Sequence, residues 1–305
     1  MPRHAPVLAG SLVAYDPPPL PASPVDPART TLYAPGELYD TVLAGSSYDD
    51  GLDARAHAWS QRPRTPPESM IRALHDHAMD DALDQFVVGR RLVGVMGGHA
   101  LERGSTAYEE AARLGHTLGA TYTVATGGGP GAMEAANLGA RCAALDGSVL
   151  ETHLEALAAV SSYRDGLTAW ARTALDVVTA IGETVTENLG IPTWHYGHEP
   201  SNVFATSIAK YFRNATREAI LLEVCDAGIV FLPGSAGTVQ EVFQDACENY
   251  YADPESVAPM VLVGGAYWTE TLPVWPLLSM LAAGTSMQDR VHLVETADEA
   301  AALLR

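Results

Sequence analysis

The sequence predicts an α/β protein: a Rossmann-like doubly wound parallel sheet flanked by helices, preceded by an irregular N-terminal arm. Three observations carry this. Short apolar runs recur and end in glycine or polar residues, most are followed by a stretch of helical periodicity, and two of them run directly into glycine-rich turns. That is the β-α-β rhythm of a sheet buried on both faces.

Residues 1–65 are rich in Pro, Asp, Ser and Gly, with DPPPLPASPVDP at 16–27, and have poor periodicity. They read as an extended arm with at most one short helix, tied to the surface or partly mobile, and no catalytic role is assigned to them. Residues 66–305 read as one Rossmann-like nucleotide-binding domain. It opens at Pro66–Glu68 with Met70, Ile71, Leu74, Ala78 and Ala82 at helical spacing. Strands follow in RLVGVMG (91–97), YTVATGGG (122–129), AGIVFLPG (227–234), PMVLVGG (259–265) and VHLVE (291–295). A helical insertion spans about 150–190, broken near Ser161 and Ser162, and IPTWHYG (191–197) is a candidate further strand.

Composition narrows the function classes. With 47% hydrophobic and 18% charged residues the chain is globular, and a net charge of −19 repels a nucleic acid. An anionic small ligand must then be captured by backbone N–H groups and a few arginines. Three cysteines (Cys142, Cys225 and Cys247) without CxxC spacing suggest reduced, buried thiols. The apolar stretch Ala5–Tyr15 is interrupted by Pro6, and no run reaches the roughly 18 residues of a membrane span, so the expectation is a cytoplasmic protein without a membrane partner. Lys210 is the only lysine, which leaves pyridoxal phosphate chemistry a single candidate.

The first chemical motif is ATGGGPGAMEAAN (125–137). Thr126, Gly127, Gly128, Gly129, Gly131 and Met133 form a strand-end turn whose backbone can approach a phosphate, with Pro130 pre-setting the helix behind it. The second is LPGSAGTVQE (232–241), offering Pro233, Gly234, Ser235, Ala236, Gly237 and Thr238. Two such turns at the carboxyl ends of one sheet could grip one ligand from both sides. MGGHALERGS (96–105), with Gly97 and Gly98, is a third turn of lower specificity. Glu134 and Glu241 each lie about one turn into the helix behind a glycine loop, where a carboxylate can face ribose or a catalytic water, or simply complement the helix N-terminus. Arg217 sits on a helix ten residues before the strand beginning at Ala227, either a ligand contact or a surface arginine.

Competing motifs are weaker. Gly127, Gly129 and Ala132 satisfy G-x-G-x-x-A with Asp146 downstream, but Pro130 and the second turn suit a monophosphate pocket better than a dinucleotide. No Gly-Lys-Ser/Thr and no Gly-x-Ser-x-Gly occurs, and HYGHE (195–199) lacks a further spaced metal ligand. No metal and no cofactor is expected.

At these residues the chain resembles the LOG family, cytokinin-activating nucleoside 5′-monophosphate phosphoribohydrolases often labelled lysine decarboxylases, and the related longer bacterial nucleotide 5′-monophosphate nucleosidases. The resemblance spans about Leu92 to Glu295. It rests on TGGGPGAMEAAN, on DAGIVFLPGSAGT leading to Glu241, on the spacing from Arg217, and on GHEPSNVF (197–204), which is similar to a stretch of the nucleosidases. Ser235 departs from the family's PGGxGTxxE, and Glu218 stands where the plant enzymes carry lysine. The resemblance implies hydrolysis of an N-glycosidic bond to free base and ribose 5-phosphate by a homodimer, with Glu241, Glu134 and Arg217 as catalytic residues. It also implies an alternative, a non-catalytic nucleotide or molybdenum-cofactor carrier of the same fold.

Overall fold

The computed structural model describes residues 20–195 and 199–304. Its elements in chain order are α1 (Pro35–Leu38), α2 (Asp40–Leu43), α3 (Leu52–Ser60), α4 (Pro66–Val87), β1 (Leu92–Met96), α5 (Thr106–Gly119), β2 (Thr123–Thr126), α6 (Ala132–Arg141), α7 (Gly147–Ala158), α8 (Leu167–Ile181), β3 (Leu189–Gly190), β4 (Ser207–Ile208), α9 (Asn214–Glu223), β5 (Ile229–Phe231), α10 (Ala236–Tyr251), β6 (Met260–Val263), α11 (Trp275–Ala282), β7 (Val291–Val294) and α12 (Ala297–Leu303).

The strands form one seven-stranded sheet in the order β4-β3-β2-β1-β5-β6-β7, and every pairing is parallel. This is the doubly wound α/β architecture. From β1 the chain steps outward through β2, β3 and β4, then returns to the other flank of β1 for β5, β6 and β7. The direction of winding therefore reverses at β1. Ligands of open α/β sheets sit at such a switch, outside the carboxyl ends of the strands. Here the two glycine turns leave β2 and β5, the two neighbours of β1.

Local sequence explains the main elements. All five residues of β1 are buried, so it reads as a continuous apolar run without alternation. Helix α4 begins with Pro at its start and a reciprocal Thr65–Glu68 capping box. The insertion is α7 and α8, separated by a 3₁₀ turn at Tyr163–Asp165 that follows the break at Ser161 and Ser162.

Two expectations need correction. The further strand falls at Leu189–Gly190, just before IPTWHYG, because Pro192 has no N–H for a ladder. Beyond it, Ile191 N–H still bonds Thr126 O at 2.9 Å and Thr193 bridges Tyr211, while Tyr196 and Gly197 lie outside the described residues. The arm, from Leu20 onward, is also more than a surface strap. It carries α1, α2, α3 and a 3₁₀ turn at Tyr48–Asp50, and it buries Tyr33, Leu38, Tyr39, Val42 and Trp59. None of its helices exceeds nine residues, too few turns for periodicity to register.

Asp53 of α3 fixes the arm to the domain. It is 1% exposed and accepts hydrogen bonds from Lys210 Nζ at 2.6 Å, Trp194 Nε1 at 2.8 Å and the Tyr48 hydroxyl at 3.0 Å. Tyr33 adds an antiparallel bridge to Ile208 on the outermost strand. The chain's single lysine is thus a buried ion-pair partner, which removes it from any accessible Schiff-base role.

Candidate functional site

The turns after β1, β2 and β5 are bonded to one another. Gly98 N–H donates to Pro233 O at 3.1 Å, and Ala132 N–H donates to Gly98 O at 3.1 Å. The β1 turn is therefore the bridge across which the two glycine turns converge. Gly131 holds a tight point of this bridge: its φ is +71°, and a Cβ there would stand 2.5 Å from Gly98 O. Only glycine fits such a position. Pro130 lies one residue before the N-cap Gly131, so it shapes the turn rather than the first turn of α6.

The turns differ in exposure. Gly127–Gly131 is buried throughout, whereas Pro233, Ser235, Ala236 and Gly237 are exposed around a buried Gly234. A buried amide network explains the first. Asn202 N–H donates to Gly128 O at 2.8 Å, and its side chain donates to Gly129 O at 3.1 Å and Asn137 Oδ1 at 3.0 Å. Asn137 donates in turn to Asn188 Oδ1 at 2.9 Å. Thr126 is fully buried, donates to Asn137 Oδ1 and accepts from Gly128 N–H, so it braces the turn rather than facing a ligand. Gly97 is likewise a packing position, with a Cβ there 2.9 Å from Ala132 Cβ and 3.0 Å from Leu232 Cβ. Met133 is half-buried over the first turn, its sulfur 2.8 Å from where a Gly127 Cβ would be. Thr238 is buried against Gly234. Neither α6 nor α10 has a side-chain N-cap, so no side chain satisfies the first-turn N–H groups behind either glycine turn.

Arg217 joins the two halves. It is 7% exposed on α9, and its Nη1 lies 3.2 Å from Glu218, 3.9 Å from Glu241 and 3.5 Å from the Cβ position of Gly127. Its Nε is buried and has no partner. Glu241, from α10, is buried beside it. Burial, with Glu218 adding like charge and Arg217 only partly offsetting it, pushes the Glu241 carboxyl up to about 8. At neutral pH this carboxyl is mainly protonated.

Glu134 has a different fate from the one its spacing suggests. It is 1% exposed and closes a bidentate pair with Arg103, at 2.5 Å from Nη2 and 3.1 Å from Nε. Arg103 also donates to Trp170 O at 3.1 Å and lies 4.5 Å over the Trp170 ring. Glu134 therefore docks the α7–α8 insertion through Arg103 and does not face the crevice as a free carboxylate. Its partner sits 31 residues upstream, beyond any local pattern.

Sequence reasoning assigned no role to His99, Arg103, Glu199, Asn137 or Asn202. Glu199 Oε1 lies 3.4 Å from His99 Nδ1, and Oε2 lies 4.0 Å from the Cβ position of Gly129, so these two cover the first turn. MGGHALERGS and GHEPSNVF contain four of the five, and that was the available signal. His198 of HYGHE lies outside the described residues; among the described residues no cluster of three metal-ligating side chains occurs. Cys142 and Cys225 are buried, but Cys247 is exposed, on the solvent side of α10. No described helix is long and apolar enough to cross a membrane.

No protein-family model and no curated protein matches the chain. Solved structures do match. The molybdenum cofactor binding protein of the phototrophic bacterium Rippkaea orientalis is 17% identical, with 70% of this chain and 95% of that chain covered and a TM-score of 0.40. A molybdenum cofactor carrier protein from Chlamydomonas reinhardtii is 16% identical, with 70% and 96% covered and a TM-score of 0.43. A further structure of the Chlamydomonas carrier is 17% identical over 70% and 95%, with a TM-score of 0.39. These are likenesses of general fold.

Proposed function

We propose that the switch-point crevice binds a nucleoside 5′-monophosphate and hydrolyses its N-glycosidic bond, in the cytoplasm and as a homodimer. The observation that carries this is Arg217, buried beside the first glycine turn with an unpartnered Nε and with Glu241, from the helix behind the second turn, 3.9 Å away. A buried guanidinium donor without an acceptor is costly, and a phosphate oxygen at that point would satisfy it. The uncapped N-termini of α6 and α10 add favourable dipoles for the same anion.

Glu241 then acts as proton donor. As the C1′–N bond breaks, its electron pair passes to the base nitrogen, which takes the Glu241 proton. Water adds to C1′ and returns a proton to the Glu241 carboxylate, leaving free base and ribose 5-phosphate. The oxocarbenium-like sugar between these steps is stabilised by nearby negative charge, for which Glu199 and Glu218 are the described candidates. Incubating the purified protein with AMP, GMP, CMP, UMP and a cytokinin riboside monophosphate should release free base from at least one; none from any refutes the activity.

A second reading is binding without turnover, as a carrier of a nucleotide or of the molybdenum cofactor as cargo. It is favoured by the sequestration of Glu134, which leaves one carboxylate behind the glycine turns where two were expected. Pterin absorbance in the protein as isolated, together with no released base, would select this reading.

A further inference from the structure

A groove of about 720 Å³ lies between α4, the N-terminal end of α9 and residues following β3. Arg64, Arg72 and Arg213 line it, three cations on one wall in a chain of net charge −19, and His77 and His195 lie among them. Among the described residues none of these arginines is ion-paired with a carboxylate. Two acids share the wall. Asp76 is already engaged, accepting from Phe212 N–H and Arg213 N–H at 2.9 Å each and lying 3.3 Å from His75. Asp80 is the second, and burial pushes its carboxyl above its ordinary range.

Arg72 is the sharpest feature. It is 7% exposed, its guanidinium lies 4.7 Å over the Trp59 ring, and Nη2 donates to Trp59 O at 3.3 Å. Its Nε is buried and unpartnered. Burial and the like charge of Arg64 both work against its ionised form, and the nearby Glu68 and Asp76 carboxylates offset them only in part. The first turn of α9, a ten-residue helix without a side-chain N-cap, supplies Asn214, Ala215 and Thr216 to the same wall. An unpaired guanidinium donor and a helix N-terminus without a side-chain cap, on one cavity, are elements of a phosphate site.

We propose that this groove is a second anion site, taking the phosphate group of a small molecule, separate from the crevice between the glycine turns. Its volume suits a ligand larger than a bare ion. Thr216 and Gln240 line it and are the sequence neighbours of Arg217 and Glu241, so its occupant borders the crevice through α9 and α10. The proposal stands whether or not the crevice performs hydrolysis.

Titration calorimetry at low ionic strength tests it, with pyrophosphate and ribose 5-phosphate as probes and potassium chloride as the ionic-strength control. The Arg217→Gln protein, in which the crevice has lost its cation, is expected to bind at least one probe; whichever binds more tightly tells a free from an organic phosphate. Adding Arg64→Gln and Arg213→Gln, both at exposed positions, should weaken that binding at least tenfold, and Arg72→Gln should do the same. If Arg217→Gln or Arg72→Gln fails to fold, the Arg64→Gln/Arg213→Gln pair in the otherwise native chain decides, and the tenfold loss is then sought in one of two binding events. Binding unchanged by these groove substitutions, or no binding of either probe beyond the chloride control, overturns the proposal.

Discussion

Arg103 and Glu134 meet in a two-pronged contact, both about 1% exposed along their side chains, and Arg103's remaining donors reach main-chain carbonyls of the insertion. Arg217 and Glu241 stand 3.9 Å apart, at 8% and 11% side-chain exposure, with a guanidinium nitrogen left over and Glu218 competing for the same cation. Both glutamates trail a glycine turn at nearly the same spacing. The first pair is complete within the protein and belongs to its stability. The second is incomplete, and the incompleteness is what marks it as a place for something from outside.

Substitutions can break or sharpen this contrast. The largest effect is expected from Glu241→Gln, which removes the proposed proton donor while keeping its shape: kcat should fall about 10²- to 10⁴-fold, the usual contribution of a general acid. Undiminished turnover would leave Glu241 no chemical role. Glu134→Gln should do the reverse, leaving Arg103 charged and buried without its partner, at about 3–5 kcal/mol in urea unfolding. Equal stability of this variant and the parent would erase the distinction between the pairs.

A pH series sharpens it further. Glu241 has a folded value of about 8, above the ordinary 4.5. Below the lower value both the folded and unfolded chains hold the proton, and the stability present there is lost as pH rises through the higher one. Unfolding free energies from urea titrations at pH 5 and at pH 8.5 should therefore differ more for the parent than for Glu241→Gln, by on the order of a few kcal/mol at most. Identical differences would mean the carboxyl ionises normally. The smallest effect is expected from Arg217→Lys, which keeps the charge but loses the planar fork: about tenfold weaker substrate binding at nearly unchanged stability.

Much of the sheet was legible. β1, β2, β5, β6 and β7 each lie within a largely apolar run that ends near a glycine or polar residue, because the inner strands, covered on both faces, leave few polar positions to interrupt them. β3 and β4 escaped because each contributes only two residues to the ladder, and their support comes from Asn137, Asn188 and Asn202, which are far apart in sequence. Within the site, the convergence of the turns followed from the strand-end glycines. The fate of Glu134 did not, since helical spacing fixes the direction of a side chain but not which distant cation meets it. Thr126 and Gly97 were misread for a related reason: at a crowded turn, residues that support the backbone have the same composition as residues that face a ligand.

The bridge between Tyr33 and Ile208 closes the flank of the sheet beyond β4. An uncovered flank carries a row of open main-chain groups, a template onto which another molecule can add its own strand. A chain trimmed to begin at Pro66 would bare that flank and at the same time strand the Lys210 ammonium in the interior without Asp53. Its first fault should be self-association during refolding, before any loss of ligand affinity. On that expectation the described part of the arm, through Tyr33 and Asp53, keeps neighbouring copies from pairing along that flank.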